Sequence, residues 1–232
     1  MKNIAAINWE PVYQSLSNKG YAIIPELLSP EECESLQHLY HEESLYRSTI
    51  NMQRYRFGKG EYKYFRYPLP DTIQKLRTEL YEPLVPLANE WMKWLSLSTT
   101  FPAKHTELIN LCHTHQQLRP TPLILRYEAE GYNTLHQDLY GEIYFPLQAL
   151  IVLSQYRVDF EGGEFVMTEQ VPRAQSKAEV ITPNRGDLVI FTTNFRPVKG
   201  TKGYYRAAMR HGISAVKSGE RYAMGVIFHD AQ

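Results

Sequence analysis

Hydrophobic residues recur at helical spacing in the first half of the chain and in short runs in the second half. Ser29 precedes a proline and two acids, the pattern of a helix N-terminus, and apolar residues follow at helical intervals. A second helical stretch runs from about Asp71 to Leu95, and we expect Pro83 and Pro86 to kink or split it. The pattern also indicates a shorter helix near residues 107–117.

After residue 120 the pattern changes to short β-rich runs separated by turn-forming residues. Helices followed by many short strands predict an α+β, mainly β protein. Its core would be a double-stranded β-helix, a jelly-roll variant, with N-terminal helices packed on one sheet. The predicted strands are Leu123 to Tyr127, Pro146 to Ser154, Glu164 to Thr168, Gly186 to Thr192, Tyr204 to Val216 and Arg221 to His229.

We expect a single domain over residues 1–232, with residues 1–120 as largely helical support and residues 121–232 as the jelly-roll core. Basic and acidic residues number 25 each, so no net field draws the whole molecule to nucleic acid or membrane. There are two cysteines, no signal-peptide pattern and no apolar run of membrane-spanning length. The expectation is a cytoplasmic protein with no membrane contact and no evident obligate protein partner.

The chemistry is concentrated at His136, Asp138 and a distant His211. Residues two apart on an extended strand project to the same side, so His136 and Asp138 can bind one ion while Gln137 points away. Two neutral imidazoles and one carboxylate on one face are typical of non-haem iron(II). The alternative is that these side chains are incidental, since a lone His-x-Asp often occurs by chance.

Arg221 follows His211 by ten residues, after a turn at Ser218 and Gly219. We expect the two strands to be antiparallel neighbours, which would place Arg221 several ångströms from His211. A guanidinium in an apolar barrel is suited to binding a dicarboxylate through two hydrogen bonds, and 2-oxoglutarate is such a molecule.

Four blocks, in order, resemble the iron(II)- and 2-oxoglutarate-dependent dioxygenases with a prolyl-hydroxylase-like core. Shorter segments, including His136 to Glu142 and Ile227 to Ala231, resemble a bacterial subgroup described as oxidative demethylases of damaged DNA. The four blocks are Tyr127 to Asp138, Asp159 to Phe165, Arg185 to Phe191 and His211 to Tyr222.

The resemblance implies Fe(II) bound by the triad of His136, Asp138 and His211, with 2-oxoglutarate and O2 as co-substrates. It implies that Arg221 pairs with the distal carboxylate of 2-oxoglutarate and that Tyr127 adds a hydrogen bond to it. An ordinary strand tyrosine is the alternative for Tyr127. Some family members place Ser or Thr two residues beyond the arginine, where this chain has Ala223. No catalytic residue beyond the metal site is implied.

Residues 47–67, the basic aromatic segment, contain six cations, one acid and six aromatic rings. This segment could form a lid, hinged at Gly58 and Gly60, that stacks a base and holds phosphate or another planar or anionic molecule. The alternative is a β-hairpin that packs its aromatic side chains. Overall neutrality argues against extended nonspecific DNA binding. The candidate substrate contacts are Arg54, Arg56, Tyr62, Tyr64 and Gln148, the last a lone polar residue in an apolar strand.

Two weaker patterns involve other histidines. His105, Cys112, His113 and His115 could suggest zinc, although closed zinc sites usually have cleaner paired spacing. His229 is expected on a surface strand, and a position next to the metal ligands is the alternative.

Hydroxylation or oxidative demethylation is the predicted reaction, and an alkylated nucleobase in DNA is the leading candidate substrate. A protein side chain or small metabolite is the alternative substrate, and a noncatalytic jelly-roll ligand sensor is the alternative class of protein.

Overall fold

Two facing antiparallel sheets enclose the interior of the protein, and four helices cover the outer face of the larger sheet. The computed structural model describes all 232 residues. The helices are α1 (Trp9–Lys19), α2 (Pro30–Leu39), α3 (Asp71–Trp94) and α4 (His105–Thr114). The strands are β1 (Tyr21–Ile24), β2 (Tyr46–Asn51), β3 (Gly58–Lys59), β4 (Glu61–Phe65), β5 (Leu123–Tyr127), β6 (Tyr132–His136), β7 (Leu147–Val152), β8 (Phe160–Gly162), β9 (Phe165–Gln170), β10 (Lys177–Ile181), β11 (Leu188–Thr192), β12 (Phe195–Gly200), β13 (Gly203–Ile213), β14 (Val216–Gly219) and β15 (Arg221–Val226).

The larger, seven-stranded sheet has the order β1-β11-β7-β15-β5-β4-β2, and we call it the main sheet. The smaller sheet, called the minor sheet, has the order β10-β9-β13-β6-β3, and β12 extends it by pairing with β13. A separate ladder joins β14 to β8. Every pairing between strands is antiparallel, as expected for the predicted jelly-roll core.

The main sheet is buried on both faces, because side chains alternate along each strand. Ile151, Ile190 and Met224 lie in the hydrophobic cluster shared with the helices. Leu150 and Val189, one position away on the same strands, lie in the cluster between the two sheets. This explains why the strand predicted from the apolar run at 146–154 reads as continuously hydrophobic.

Helix α2 begins as predicted, with Ser29 as N-cap and a reciprocal capping box with Glu32. Helix α3 continues through Pro83 and Pro86 without being split. The Tyr13 hydroxyl donates a hydrogen bond to the Pro83 carbonyl. Burial of a long apolar stripe on α3 outweighs the backbone hydrogen bonds that the prolines remove.

The first 120 residues contain all four helices, and they also supply strands that the sequence pattern did not predict. Helix α1 was not predicted, and β1, with only four residues, adds an edge strand to the main sheet. Within the basic aromatic segment, β2 pairs with β4, and β4 pairs with β5. The hairpin alternative therefore describes most of that segment, which extends the main sheet.

A buried polar cluster joins α3 to the last residues of the chain. The guanidinium of Arg77 lies 2.8 Å from the Asp230 carboxylate, and both side chains are fully buried. His229 is also fully buried, and its Nδ1 accepts a hydrogen bond from the Phe145 amide, so the expectation of a surface histidine is wrong. The cause is that the chain turns beneath Phe145 after β15.

None of the helices combines the length and apolarity needed to cross a bilayer.

Replacing His229 by glutamine should reduce the loss of stability in mild acid. Burial lowers the pKa of His229 to about 3, whereas an unfolded histidine titrates near 6.5, at about its ordinary value. As the pH falls, His229 is therefore protonated in the unfolded state before it is protonated in the folded state. The contribution of neutral His229 to the free energy of unfolding is complete above the pKa of the unfolded state and is lost as the pH falls towards the pKa of the folded state. Urea unfolding of wild type should lose about 1 kcal/mol more than His229→Gln between pH 6 and 5. Exposed His41→Gln is the control, and equal pH slopes for wild type and His229→Gln would contradict the assignment.

Candidate metal centre

The pairing of β6 with β13 places two histidines side by side. His136 and His211 are direct partners in the ladder, so their side chains project from the same face of the minor sheet. Their ring centroids are 4.3 Å apart. Strand β6 ends at His136, and Asp138 lies in the following loop. The expectation that both residues of the His-x-Asp pair lie on a strand therefore applies only to His136.

The three side chains converge although the chain separates them widely. Asp138 Oδ2 lies 3.2 Å from His211 Nε2, and Asp138 Oδ1 lies 3.5 Å from His136 Nε2. One potential ligand atom from each residue lies within 4.8 Å of the others, a spacing that could hold a metal ion. These are the donor types that a facial iron(II) site requires.

Each of the three groups is oriented by its neighbours. His136 Nδ1 lies 2.8 Å from the Thr134 carbonyl, which leaves Nε2 facing Asp138. The ring of His211 packs against Phe165 and Phe191, at centroid distances of 5.8 and 4.7 Å. The loop after β6 is tied to β13 through Gln137, whose amide donates to the carbonyls of Asn194 and Met209.

The electrostatics favour the protonation states that bind a cation. Burial alone would raise the pKa of Asp138, but the hydrogen bond and charge of His211, with a contribution from His136, hold it well below its usual range. Burial and the neighbouring His136 lower the pKa of His211. At neutral pH, the site therefore presents a carboxylate beside a neutral imidazole.

Arg221 lies across the interior from the histidines, on the main sheet. Strand β15 pairs with β5 and β7, whereas β13 pairs within the minor sheet. The expectation that the strands of His211 and Arg221 are neighbours is therefore wrong. Strand β14 diverts the chain between them by pairing with β8, so the short turn joins two sheets.

The guanidinium of Arg221 is buried and forms no salt bridge; the nearest acidic influence is that of Glu164. The residue is 1% exposed, and its Nε and Nη1 have no hydrogen-bond partner. It lies between the rings of Tyr127 and Phe160, about 5.9 and 5.8 Å from their centroids. Burial lowers the pKa of Arg221 to about 10, which still leaves it cationic at neutral pH. The chemistry of such a group suits it to binding an anion.

Glycine at position 163 allows the main chain to approach Arg221. Gly163 has a φ of +60°, and a Cβ there would lie 2.9 Å from the Arg221 Cδ and from Val216. Tyr127 is the ladder partner of Arg221, and its hydroxyl is buried without a hydrogen bond. The side chains of Arg221 and Tyr127 thus present unused donors to the same space.

A cavity of about 220 Å³ connects the triad with Arg221. Tyr62, Tyr64 and Gln148, three of the predicted substrate contacts, line it. Gln148 is 2% exposed, and its Nε2 has no partner. Arg54 and Arg56 do not line the cavity; they lie exposed on a 3-10 turn beside Phe57, which does. The turn interrupts the alternation of inward and outward side chains along the basic aromatic segment. Arg54 and Arg56 therefore face solvent.

The weaker zinc pattern does not form a cluster. His105 Nε2 lies 2.8 Å from the Phe228 carbonyl, and His113 Nε2 lies 3.0 Å from Asp230. The triad is the one group of three such side chains that converges. Tyr140, which the sequence analysis missed, contacts Asp138 and lines the cavity. The feature of the sequence that could have indicated this contact is that Tyr140 lies two residues after Asp138.

Solved structures share this fold. A prolyl-4-hydroxylase of Pseudomonas putida aligns with a TM-score of 0.57 and 12% identity, covering 96% of this chain and 98% of the other. An oxidoreductase of the 2OG-Fe(II) oxygenase family from Burkholderia pseudomallei aligns with a TM-score of 0.55 and 14% identity, covering 99% and 92%. The viral collagen prolyl hydroxylase of Paramecium bursaria Chlorella virus-1 aligns with a TM-score of 0.53 and 18% identity, and the alignment covers 90% of this chain and 96% of the viral protein. At these identities the likeness concerns the fold.

Comparisons of sequence identify the family of the chain. "Uncharacterized protein Rv2227" of Mycobacterium tuberculosis is 44% identical over 167 residues, which are 72% of each chain. The profile of the Oxygenase-NA family, described as "oxygenase, catalysing oxidative methylation of damaged DNA", matches residues 60–231.

The match over residues 60–231 shows that the chain is an oxygenase. Within that class, the chain belongs to the Oxygenase-NA family. This confirms the resemblance found in the sequence, and it excludes the noncatalytic sensor as the class of protein.

Replacing Arg221 by methionine should stabilise the ligand-free protein by about 1 to 3 kcal/mol, because it removes a buried charge that has no partner. Arg77→Met is the matched control, since Arg77 is equally buried but bonded to Asp230, Tyr67 and the Ile227 carbonyl. That variant should lose about 3 to 5 kcal/mol. Urea denaturation curves give both values. A marked loss of stability in Arg221→Met would show that the guanidinium has a structural role.

Proposed function

We propose that the chain is an iron(II)- and 2-oxoglutarate-dependent oxygenase that uses His136, Asp138 and His211 to hold the metal. The observation that supports this most directly is that one cavity is lined both by three converging groups that could hold a metal and by a buried guanidinium that forms no salt bridge. When bound there, iron(II) and 2-oxoglutarate would supply an O2-dependent oxidant for a substrate C–H bond, with succinate and CO2 as co-products.

Arg221 and Tyr127 would bind the far carboxylate of 2-oxoglutarate. Arg221 supplies the positive charge and two free N–H groups, and Tyr127 supplies a hydroxyl donor. Burial raises the pKa of Tyr127, so the hydroxyl remains protonated and can donate. Ala223, where some family members have a hydroxyl residue, is buried and contributes none. The pocket therefore relies on Arg221 and Tyr127.

The remaining part of the cavity would receive the substrate. Gly225 lies four positions from Arg221 on β15, about 13 Å along the strand. Gly225, Leu123 and Tyr64 form one row across the main sheet, and Arg221 and Tyr127 form another. The row containing Tyr64 is thus separated from the proposed anion site, which leaves space for two molecules in line.

The lining of the substrate end suits a planar, hydrogen-bonding group. Apart from the histidines, Asp138 and Arg221 are the only charged residues that line the cavity. With a metal at Asp138 and a carboxylate at Arg221, no unpaired charge would remain there. Tyr62 and Tyr64 supply aromatic faces, and Gln148 supplies an unpaired amide donor. These features fit a methylated nucleobase, which agrees with the family description.

Arg54 and Arg56 would act outside the cavity, at its mouth. Neither forms an ion pair, and the adjoining Tyr55 and Phe57 rings are stacked and exposed. Such a surface could bind phosphate and flanking bases of a single strand.

In the proposed reaction, hydroxylation of an N-methyl group on the base would be followed by loss of formaldehyde. The net result would be removal of the methyl group.

Purified protein with iron(II), ascorbate and 2-oxoglutarate should release succinate, because the triad and Arg221 hold the reactants together. His136→Ala should reduce release to the rate measured without protein. His115→Ala is the control, since His115 is bonded to Glu142 and does not line the cavity. If no condition gives succinate above the His136→Ala background, the proposed reaction is wrong.

Substrate is tested with single-stranded oligonucleotides that contain one methylated base, compared with methylated peptides and free amino acids. For the nucleobase, formaldehyde should match succinate mole for mole. Gln148→Leu should then lower kcat/KM by about 10-fold or more, because a buried hydrogen bond is lost. Arg54→Ala with Arg56→Ala should mainly raise KM and weaken its salt dependence. A hydroxylated peptide or amino acid, without formaldehyde, would support the alternative substrate classes instead.

A further inference from the structure

The hydroxyl of Tyr140 is bonded to one oxygen of Asp138. It donates to Oδ1 at 2.7 Å, whereas Oδ2 lies nearest His211 Nε2, at 3.2 Å. The two oxygens of the carboxylate are therefore not equivalent. Oδ1 accepts the hydrogen bond from Tyr140 and lies 3.5 Å from His136 Nε2, whereas Oδ2 faces His211 and has no hydroxyl donor.

Tyr140 is itself held by further contacts. Tyr64 donates a hydrogen bond to the Tyr140 hydroxyl at 3.1 Å, and the two rings meet edge to face. The guanidinium of Arg47 lies 4.4 Å from the centroid of the Tyr64 ring, and its Nε donates to the Pro120 carbonyl. Two tyrosine hydroxyls thus link Asp138 to the packed hairpin of β2 and β4, so Oδ1 has a fixed donor.

We propose that Tyr140 is a positioning residue that keeps Asp138 a ligand through Oδ2 alone. This inference rests on the proposed function. A facial triad leaves three positions open on an octahedral metal, and 2-oxoglutarate with O2 requires all three. A carboxylate that bound through both oxygens would occupy one of them. The hydrogen bond from Tyr140 gives Oδ1 a partner other than the metal.

The geometry also restricts where Asp138 can turn. Its loop has no strand pairing beyond His136, so backbone hydrogen bonds do not fix the carboxylate. Gln137 anchors the loop backbone to β13, and Tyr140 anchors the carboxylate. Loss of the hydroxyl would remove the hydrogen bond that holds Oδ1 and leave only the contacts with His136 and His211 to orient the carboxylate.

Tyr140→Phe, which removes only the hydroxyl, tests the proposal. Mn(II) binding by the otherwise intact protein should weaken by about 10- to 100-fold, the usual effect of losing a group that orients a metal ligand. Tyr64→Phe should give a smaller loss, because Tyr140 still contacts Asp138. Tyr144→Phe is the matched control with unchanged affinity, since Tyr144 packs on His229 but makes no contact with Asp138.

Thermal unfolding of the metal-free proteins separates positioning from general loss of structure. The Tm of Tyr140→Phe should lie close to that of wild type, while Mn(II) affinity falls. Unchanged Mn(II) affinity in a folded Tyr140→Phe would overturn the inference but leave the proposed function intact. Failure of wild type to bind Mn(II) would instead count against the proposed function itself.

A crystal structure of wild type with Mn(II) and 2-oxoglutarate provides a test that needs no variant. The expected result is a single Asp138 oxygen, Oδ2, on the metal, with Oδ1 still bonded to Tyr140. Coordination through both oxygens, or a Tyr140 hydroxyl turned away from Asp138, would overturn the proposal.

Discussion

The antiparallel pairing of β6 with β13 is the interaction on which the site depends. It places His136 directly opposite His211 and turns both rings towards the main sheet. A shift of the register by one residue would turn one ring to the outer face, since side chains alternate along a strand. The packing of Phe165 and Phe191 against His211 opposes such a shift, because both rings belong to the apolar cluster between the sheets. Metal-binding geometry is therefore a consequence of core packing.

The interior concentrates unsatisfied polar atoms at this one place. Of the ten buried side-chain nitrogen and oxygen atoms without a partner, five belong to residues that line the cavity: Tyr127, Gln148, His211 and Arg221, the last with two atoms. Elsewhere, buried charge is neutralised, as in the pair of Arg77 and Asp230. Half of the unpartnered buried atoms thus lie around one cavity, so the fold sacrifices stability where ligands are expected to bind.

The sequence allowed the fold class and six strands of the second half, namely β5, β7, β9, β11, β13 and β15, to be predicted, because apolar periodicity and turn residues are local signals. It did not predict β8, β10, β12 or β14 as separate strands. It also pointed to His136, Asp138, His211, Arg221 and Tyr127, which the structure brings around one cavity. The sequence did not allow us to predict which strands pair with each other in the sheets. The turn at Ser218 and Gly219 suggested adjacent strands, yet pairing of β14 with β8 is a long-range choice that no local pattern specifies. Tyr140 was missed because its role depends on contact with Asp138, which only the folded loop creates.

The placement of Arg221 and the histidines on opposite sheets has a mechanical consequence. A dicarboxylate held at one end by a metal on the minor sheet and at the other by Arg221 on the main sheet would form a bridge across the barrel. Relative motion of the two sheets would then be restrained by the small molecule as well as by the apolar core. Under the proposed function, binding of the keto acid would in that way also stabilise the barrel against local unfolding and proteolysis.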